Sequence, residues 1–372
     1  MKIVHLALMH SDKDSRIFRK ECLSLEKNGH TVTYITSNNK EVLEINEESN
    51  ITVIKMPLLG KSKAAKRINY YKSIHKLALE LDADIYHIHE PDLLVVGDRL
   101  SSANRIVVFD AHEDYQGYKY GANSKSSITK KVKMKLISIA YWNLIKYSSL
   151  KINNVITAGE NIANYYRGKE LNVEVLNNYP ILNNDYDSIP KEEYLKRQNL
   201  VCYVGGVNNQ RRIENLLGIF KNQIDSKFVY AGPIHPSLKY VVENDSTSVY
   251  KGILDAKEMQ NLYRSSKVGV ILLTPEKNHY DIQSNKLFEY MENSLPVICS
   301  NFPRWKEFVE KNKCGIAVDP MDDLAIKRAI DFLIENPEKA YEMGRNGREA
   351  VVNEYNWKKE EEKLIKYYNK IT

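Results

Sequence analysis

At 372 residues the chain is long enough for about two domains, each with a core of its own. Apolar content is ordinary for a globular protein, and no apolar run approaches the roughly 20 residues that span a bilayer. The formal charge of +6 is a mild excess that suits anionic partners without indicating nucleic acid, and the four cysteines (Cys22, Cys202, Cys299, Cys314) form no C-x-x-C pair, which argues against a disulfide or zinc framework.

In chain order, residues 2–9 form a short apolar run that passes straight into charges. It reads as a first β-strand, not a signal peptide, and points to a cytoplasmic protein. Ile17, Phe18, Cys22 and Leu25 then recur at helical spacing, and Gly29 closes that helix. Residues 31–36 alternate as a strand, a helix over about 66–81 follows, and Ile85–Ile88 and 105–109 are strands again. Strands alternating with helices predict a parallel, doubly wound sheet, whose ligands bind beyond the carboxyl ends of the strands. The loops after Met9, Ile88 and Phe109 are therefore the candidates for chemistry.

The first of these loops reads HSDKDSRIFRKE. Either Ser11 or Asp14 caps a helix and Arg16 is solvated, or Arg16 faces a ligand. The second reads YHIHEPDLL, with His87 and His89 on one face of the strand by alternation. A metal there needs a third ligand, and no residue supplies one at convincing spacing. His89 and Glu90, ending a parallel strand, suit the lining of a binding cleft instead. The third reads FDAHEDYQGY. His112 is either structural or within reach of a reacting group, and Glu113 and Asp114 either orient it or act as caps. Residues 119–151 then hold eight lysines and no acid. Leu136, Ile137, Ala140, Tyr141, Leu144 and Ile145 form an apolar helical face there, flanked by Trp142. Such a helix either packs in the domain or lies on an anionic membrane surface.

Residues 176–199, rich in Asn, Pro and Asp, break the rhythm and read as an interdomain hinge. A second α/β series opens at Leu200–Val204 and continues through strands at 228–231, 268–273, 296–299 and Gly315–Val318. After its first strand, YVGGVNNQRRIENL places Gly205 and Gly206 in a tight turn before a helix from about Arg211. The guanidinium there is either solvated or set to bind a diphosphate in a forked geometry. The densest motif, YDIQSNKLFEYMENSLPVICSNFPRWKEF, spans 280–308. Asp281 precedes Glu289 by seven intervening residues, and the polar turn Gln283-Ser284-Asn285 leads into a helix from near Lys286. A helix opening from a polar loop presents free N–H groups to a phosphate, and Glu289, one turn in, can reach a sugar hydroxyl.

This last segment resembles the donor site of the retaining GT-B glycosyltransferases of family 4, also called glycosyltransferase group 1. Their E-x7-E pattern has "NKLFEYM" followed by "LPVI" as its typical second half, with Asp281 here in place of the first Glu. The runs around Arg16 and His112 are similar to the D-x-R-I-F-x-K-E and D-x-H-E-D segments of one subgroup. After the first strand of the second half, Gly206 replaces the family's Arg, Arg211 takes its Lys position and Arg212 its Gly position. The resemblance implies two Rossmann-like doubly wound domains facing across a cleft: 1–180 on the acceptor side, 195–355 for the nucleotide sugar, and a terminal helix, 356–372, crossing back. It implies a retaining, metal-independent hexosyltransferase without cofactors. The expected donor is a nucleotide diphosphate sugar, UDP-sugar by default, and the acceptor a glycan or glycolipid hydroxyl in bacterial surface polysaccharide assembly. His112 falls on the family's active-site histidine and would serve the reacting face, while Asp281 holds the donor sugar and Glu289 the ribose. Arg211 and Lys286, with Gly205, Gly206, Ser284, Asn285 and Leu287, would bind the rest of the donor. Arg16, His89, Glu90 and Glu113 would stand on the acceptor side. A GT-B nucleotide-sugar epimerase and a catalytically idle partner or glycan-binding subunit remain as alternatives. A dehydrogenase does not, since no G-x-G-x-x-G follows the first strand.

Overall fold

The computed structural model describes the chain apart from residues 39–41, 46–48, 113–131, 133–135, 137–138, 140–142, 144–150, 169, 183–188, 222–224, 277–278 and 281–283. It divides into two compact units. One comprises Met1–Asn178 together with Trp357–Thr372, and the other Tyr179–Asn356.

The first unit is built on a sheet whose strands, in chain order, are β1 (Lys2–Leu6), β2 (Thr31–Asn38), β3 (Val42–Ile45), β4 (Thr52–Pro57), β5 (Ile85–Ile88), β6 (Ile106–Ala111), β7 (Asn154–Thr157) and β8 (Asn172–Val175). Their spatial order is β3-β4-β2-β1-β5-β6-β7-β8. All described pairings are parallel except that of β3 with β4. Side chains alternate between two covered faces. Val4, Leu6, Tyr86 and Ile88 join Tyr70 and Ile74 of the helix Lys63–Leu81 on one face. Ile3, Tyr34 and Ile85 meet Phe18, Leu25, Trp357, Leu364 and Tyr368 on the other. The terminal helix Trp357–Ile371 is therefore part of the first unit's core, with Trp357 Nε1 donating to Ser24 Oγ at 2.8 Å.

The helix expected after β1 opens as a π-helical turn, Ile17–Cys22, and continues as Leu23–Lys27. Its entry is fixed by Asp14, whose Oδ1 accepts from the amides of Arg16 (2.8 Å) and Ile17 (2.9 Å). The wide turn shows in the hydrogen bond from the Glu21 amide to the Arg16 carbonyl, five residues back. Both side chains of that pair point inward.

The second unit carries a six-stranded sheet of β9 (Leu200–Val204), β10 (Lys227–Ala231), β11 (Val249–Tyr250), β12 (Val268–Ile271), β13 (Val297–Ser300) and β14 (Gly315–Val318). Its order is β11-β10-β9-β12-β13-β14, parallel in every described pairing. The order reverses between β9 and β12, the switch point at which open α/β sheets bind ligands. No helix among the described residues is long and apolar enough to cross a membrane.

Candidate active site

In the second unit, the end of β9, which borders the switch point, meets the end of its neighbour β10 closely. Gly205 follows β9 and its amide donates to the Ala231 carbonyl at 2.9 Å. Gly232 follows β10 at φ +129°, where an added Cβ would stand 2.0 Å from the Gly205 carbonyl oxygen. Only glycine permits this approach. Asn208 then caps a short turn, its Oδ1 accepting from the Arg211 amide at 3.1 Å. Arg212 lies in the left-handed region at φ 56°, at the position where the family carries Gly. Its guanidinium donates to Asp323 Oδ1 at 2.9 Å, so this side chain is occupied away from the turn. Arg211 has no ion-pair partner among the described residues and is partly exposed.

The helix Asn285–Glu292 starts without a side-chain cap, since Ser284 makes no such hydrogen bond and is buried. Of its first-turn amides, that of Leu287 donates to the Ser284 carbonyl at 3.1 Å, and those of Asn285 and Lys286 have no partner among the described residues and suit a ligand oxygen. The apolar side of the helix fixes its rotation. Leu287, Phe288, Tyr290 and Met291 are buried, and the Tyr290 ring covers Gly269 of β12 so closely that a Cβ there would lie 2.6 Å from it. Lys286 and Glu289 are left about a quarter exposed, with Lys286 Nζ donating to Glu289 Oε2 at 2.7 Å. Tyr263 OH, from the helix Ala256–Ser265, donates to the same oxygen at 2.9 Å. Burial and the adjacent carboxylate push the Tyr263 phenol up, so it stays protonated and a donor. The sequence gives no sign of Tyr263, which lies 26 residues before its partner on another helix.

In the first unit, the loops after β1, β5 and β6 form one polar network. Glu90 fastens the β1 loop, its carboxylate accepting from the amides of Leu8 (3.0 Å) and Met9 (2.7 Å). Arg16 is internal. Its Nε and NH2 groups donate to Asp110 at 2.9 and 3.0 Å, and NH1 donates to the Leu176 carbonyl at 2.9 Å. Burial would raise the Asp110 carboxyl, but the Arg16 guanidinium, with His112 and His89 alongside, holds it well below its usual range. His112 Nδ1 stands 3.4 Å from Asp110 Oδ2, and its Nε2 lies 3.2 Å from His10 Nε2. His10 Nδ1 lies 3.0 Å from Asp14 Oδ2 in turn.

The residues expected on the acceptor side turn inward. Arg16, His89 and Glu90 are buried and engaged within the unit. They hold the loops that carry His10 and His112. His10 went unnoticed, although it directly follows the first strand's loop entry, where a parallel sheet places its chemistry. Glu113 and Asp281 lie outside the described residues, as does most of 119–151.

Two family models match the chain: Glycosyltransferase Family 4 over residues 16–178 and Glycosyl transferases group 1 over 185–350. No curated protein sequence matches. Among solved structures, the chain is similar to sucrose-phosphate synthase (tll1590) from Thermosynechococcus elongatus, with a TM-score of 0.73 at 16% identity, covering 100% of this chain and 98% of that one. Anabaena Alr3699/HepE in complex with UDP gives a TM-score of 0.69 at 13% identity with 100% of both chains covered. WaaG, a glycosyltransferase involved in lipopolysaccharide biosynthesis, gives 0.65 at 13% identity with 98% of each covered. At these identities the structural likeness establishes the GT-B fold, and the two family models, one on each unit, place the chain among the family 4, group 1 glycosyltransferases.

Proposed function

We propose that the protein transfers a hexosyl group from a UDP-sugar to a hydroxyl of a glycan or lipid-linked acceptor, with retention of anomeric configuration and without a metal at the donor. The observation that carries this reading is Glu289. It sits one turn into an uncapped helix, partly exposed and held by Tyr263 and Lys286. A carboxylate so fixed is ready to accept from ribose hydroxyls, while the first-turn amides, Lys286 and Arg211 meet the diphosphate. That Anabaena HepE was solved with UDP and with UDP-glucose supports UDP as the nucleotide. As the glycosidic bond breaks, the diphosphate gains charge that these groups offset, and its oxygen takes the acceptor's proton on the same face. Asp281 would bind the donor sugar, and His112 would hydrogen-bond at the reacting face.

A thermal-shift panel of UDP, GDP, ADP and their sugars tests the donor. Saturation at 100 times the dissociation constant adds about 2.7 kcal/mol, and only UDP compounds are expected to shift the transition. Added magnesium or manganese is expected to leave turnover unchanged, and a metal requirement for transfer would overturn the cationic diphosphate site. Assembly of bacterial surface polysaccharide on the inner face of the membrane fits the basic stretch 119–151. Val132, Leu136 and Ile139 are helical and exposed there, at spacings that share one face. Co-sedimentation with vesicles containing anionic lipid, lost in vesicles of neutral lipid, is the expected result.

A further inference from the structure

We propose that the interior of the first unit is a binding site for one divalent first-row transition metal ion, zinc by its donor set, held by His5, Glu21, His87 and His89. The site is separate from the donor-binding residues, all of which lie in the second unit. Sequence spacing left His87 and His89 short of ligands. The fold supplies the others from far along the chain. His5 of β1 is the direct register partner of His87 on β5, on the face covered by the π-helical turn and the terminal helix. Glu21 descends onto that face from the π-helical turn.

All four side chains are fully buried, and each offers an atom within 4.8 Å of the other three. His5 Nδ1 lies 2.9 Å from His89 Nε2, His87 Nδ1 lies 3.8 Å from Glu21 Oε2, and His89 Nε2 lies 4.0 Å from that same oxygen. Tetrahedral zinc with bonds of roughly 2.0–2.1 Å separates its ligand atoms by about 3.4 Å, so shifts of under about 1 Å close the shell.

Three further observations favour a cation. Glu21 Oε2, fully buried and facing the three rings, has no hydrogen-bond partner among the described residues. Charge is also unbalanced: Arg16 stands 3.1 Å from Glu21 Oε1 but spends its fork on Asp110, leaving two carboxylates to one guanidinium. A proton on Glu21 or a bound cation must supply the remainder. His89 also points its other nitrogen at Asp110 Oδ2, 3.4 Å away, the carboxylate–histidine arrangement that orients metal ligands. Binding would displace two hydrogen bonds, the one between His5 Nδ1 and His89 Nε2 and the one between Tyr368 OH and His87 Nδ1 at 2.7 Å.

The test is metal content of the full chain purified without chelators or metal-affinity resin. Roughly one equivalent of zinc per chain is expected by elemental analysis, and the apoprotein refolded with cobalt should show the visible absorption of four-coordinate cobalt. Glu21→Gln, which imitates the protonated carboxyl in size and charge, should fold and lose more than nine-tenths of the metal. Folded wild-type protein without stoichiometric metal and without those cobalt bands overturns the site, as does Glu21→Gln that binds as much zinc as wild type. The cobalt measurement needs no variant, and UDP binding, read separately, reports only on the second unit.

Discussion

Glu289 concentrates the donor reading in one carboxylate. Glu289→Ala removes a partly exposed side chain, leaving Lys286 to solvent and the buried Tyr263 hydroxyl without its acceptor, so the damage is local and the fold persists. Loss of a hydrogen bond to a charged acceptor, about 1.5–3 kcal/mol, should weaken UDP binding by roughly 10- to 100-fold in titration calorimetry. Unchanged affinity would remove Glu289 from the ribose. His112 makes a different prediction, because it belongs to the first unit while the nucleotide is assigned to the second. His112→Ala should lower kcat by about 10²-fold or more while nucleotide affinity changes little, since a hydrogen bond that strengthens as charge develops acts on the transition state. Equal losses in both would make it a general binding residue. Legibility at this scale followed local context. Lys286 and Glu289 share one short motif, and Arg212 in its left-handed turn could be placed because the family carries glycine there. Arg16 was misread, since the sequence shows a polar loop but not the buried Asp110 that draws the guanidinium inward.

At the scale of elements, the donor helix is only as well placed as its seat on β12. Gly269 lies under the Tyr290 ring, whose OH donates to the Val270 carbonyl at 3.3 Å. Gly269→Ala drives a methyl into that ring and should destabilise the second unit by about 1–3 kcal/mol in urea unfolding, with donor affinity falling in parallel. An alanine variant of wild-type stability would show that the helix rides loosely on the sheet. The apolar runs at β1, β5 and β9 were readable from composition. In β7 and β8 Asn, Thr and Glu interrupt the apolar residues, and β11 has only two residues, so no run emerges and pairing with neighbours makes them strands. The same limit hid the cluster around His87, whose members meet through parallel register between β1 and β5 and through a turn between them in sequence.

For the whole molecule, the first unit is discontinuous. It closes with Trp357, Leu364, Tyr367 and Tyr368, whose burial against residues 1–178 contributes roughly 1.5–3 kcal/mol each. Residues 179–356 expressed alone should therefore fold cooperatively and bind UDP, whereas a chain ending at 356 should lose the first unit's near-ultraviolet circular dichroism and aggregate. A folded first unit in that truncation would demote the terminal helix to an ornament. The arrangement also sets an order of events during synthesis. Translation runs from the N-terminus, so domains made first commonly fold first. Here the earlier-made half must wait on the ribosome with the face of β1 and β5 uncovered, while the later-made half acquires everything it needs by residue 356. A nascent chain paused after that residue would carry a finished second unit and an unfinished first one. That is the stage at which chaperone capture should be greatest, and release should follow the arrival of Trp357 at Ser24.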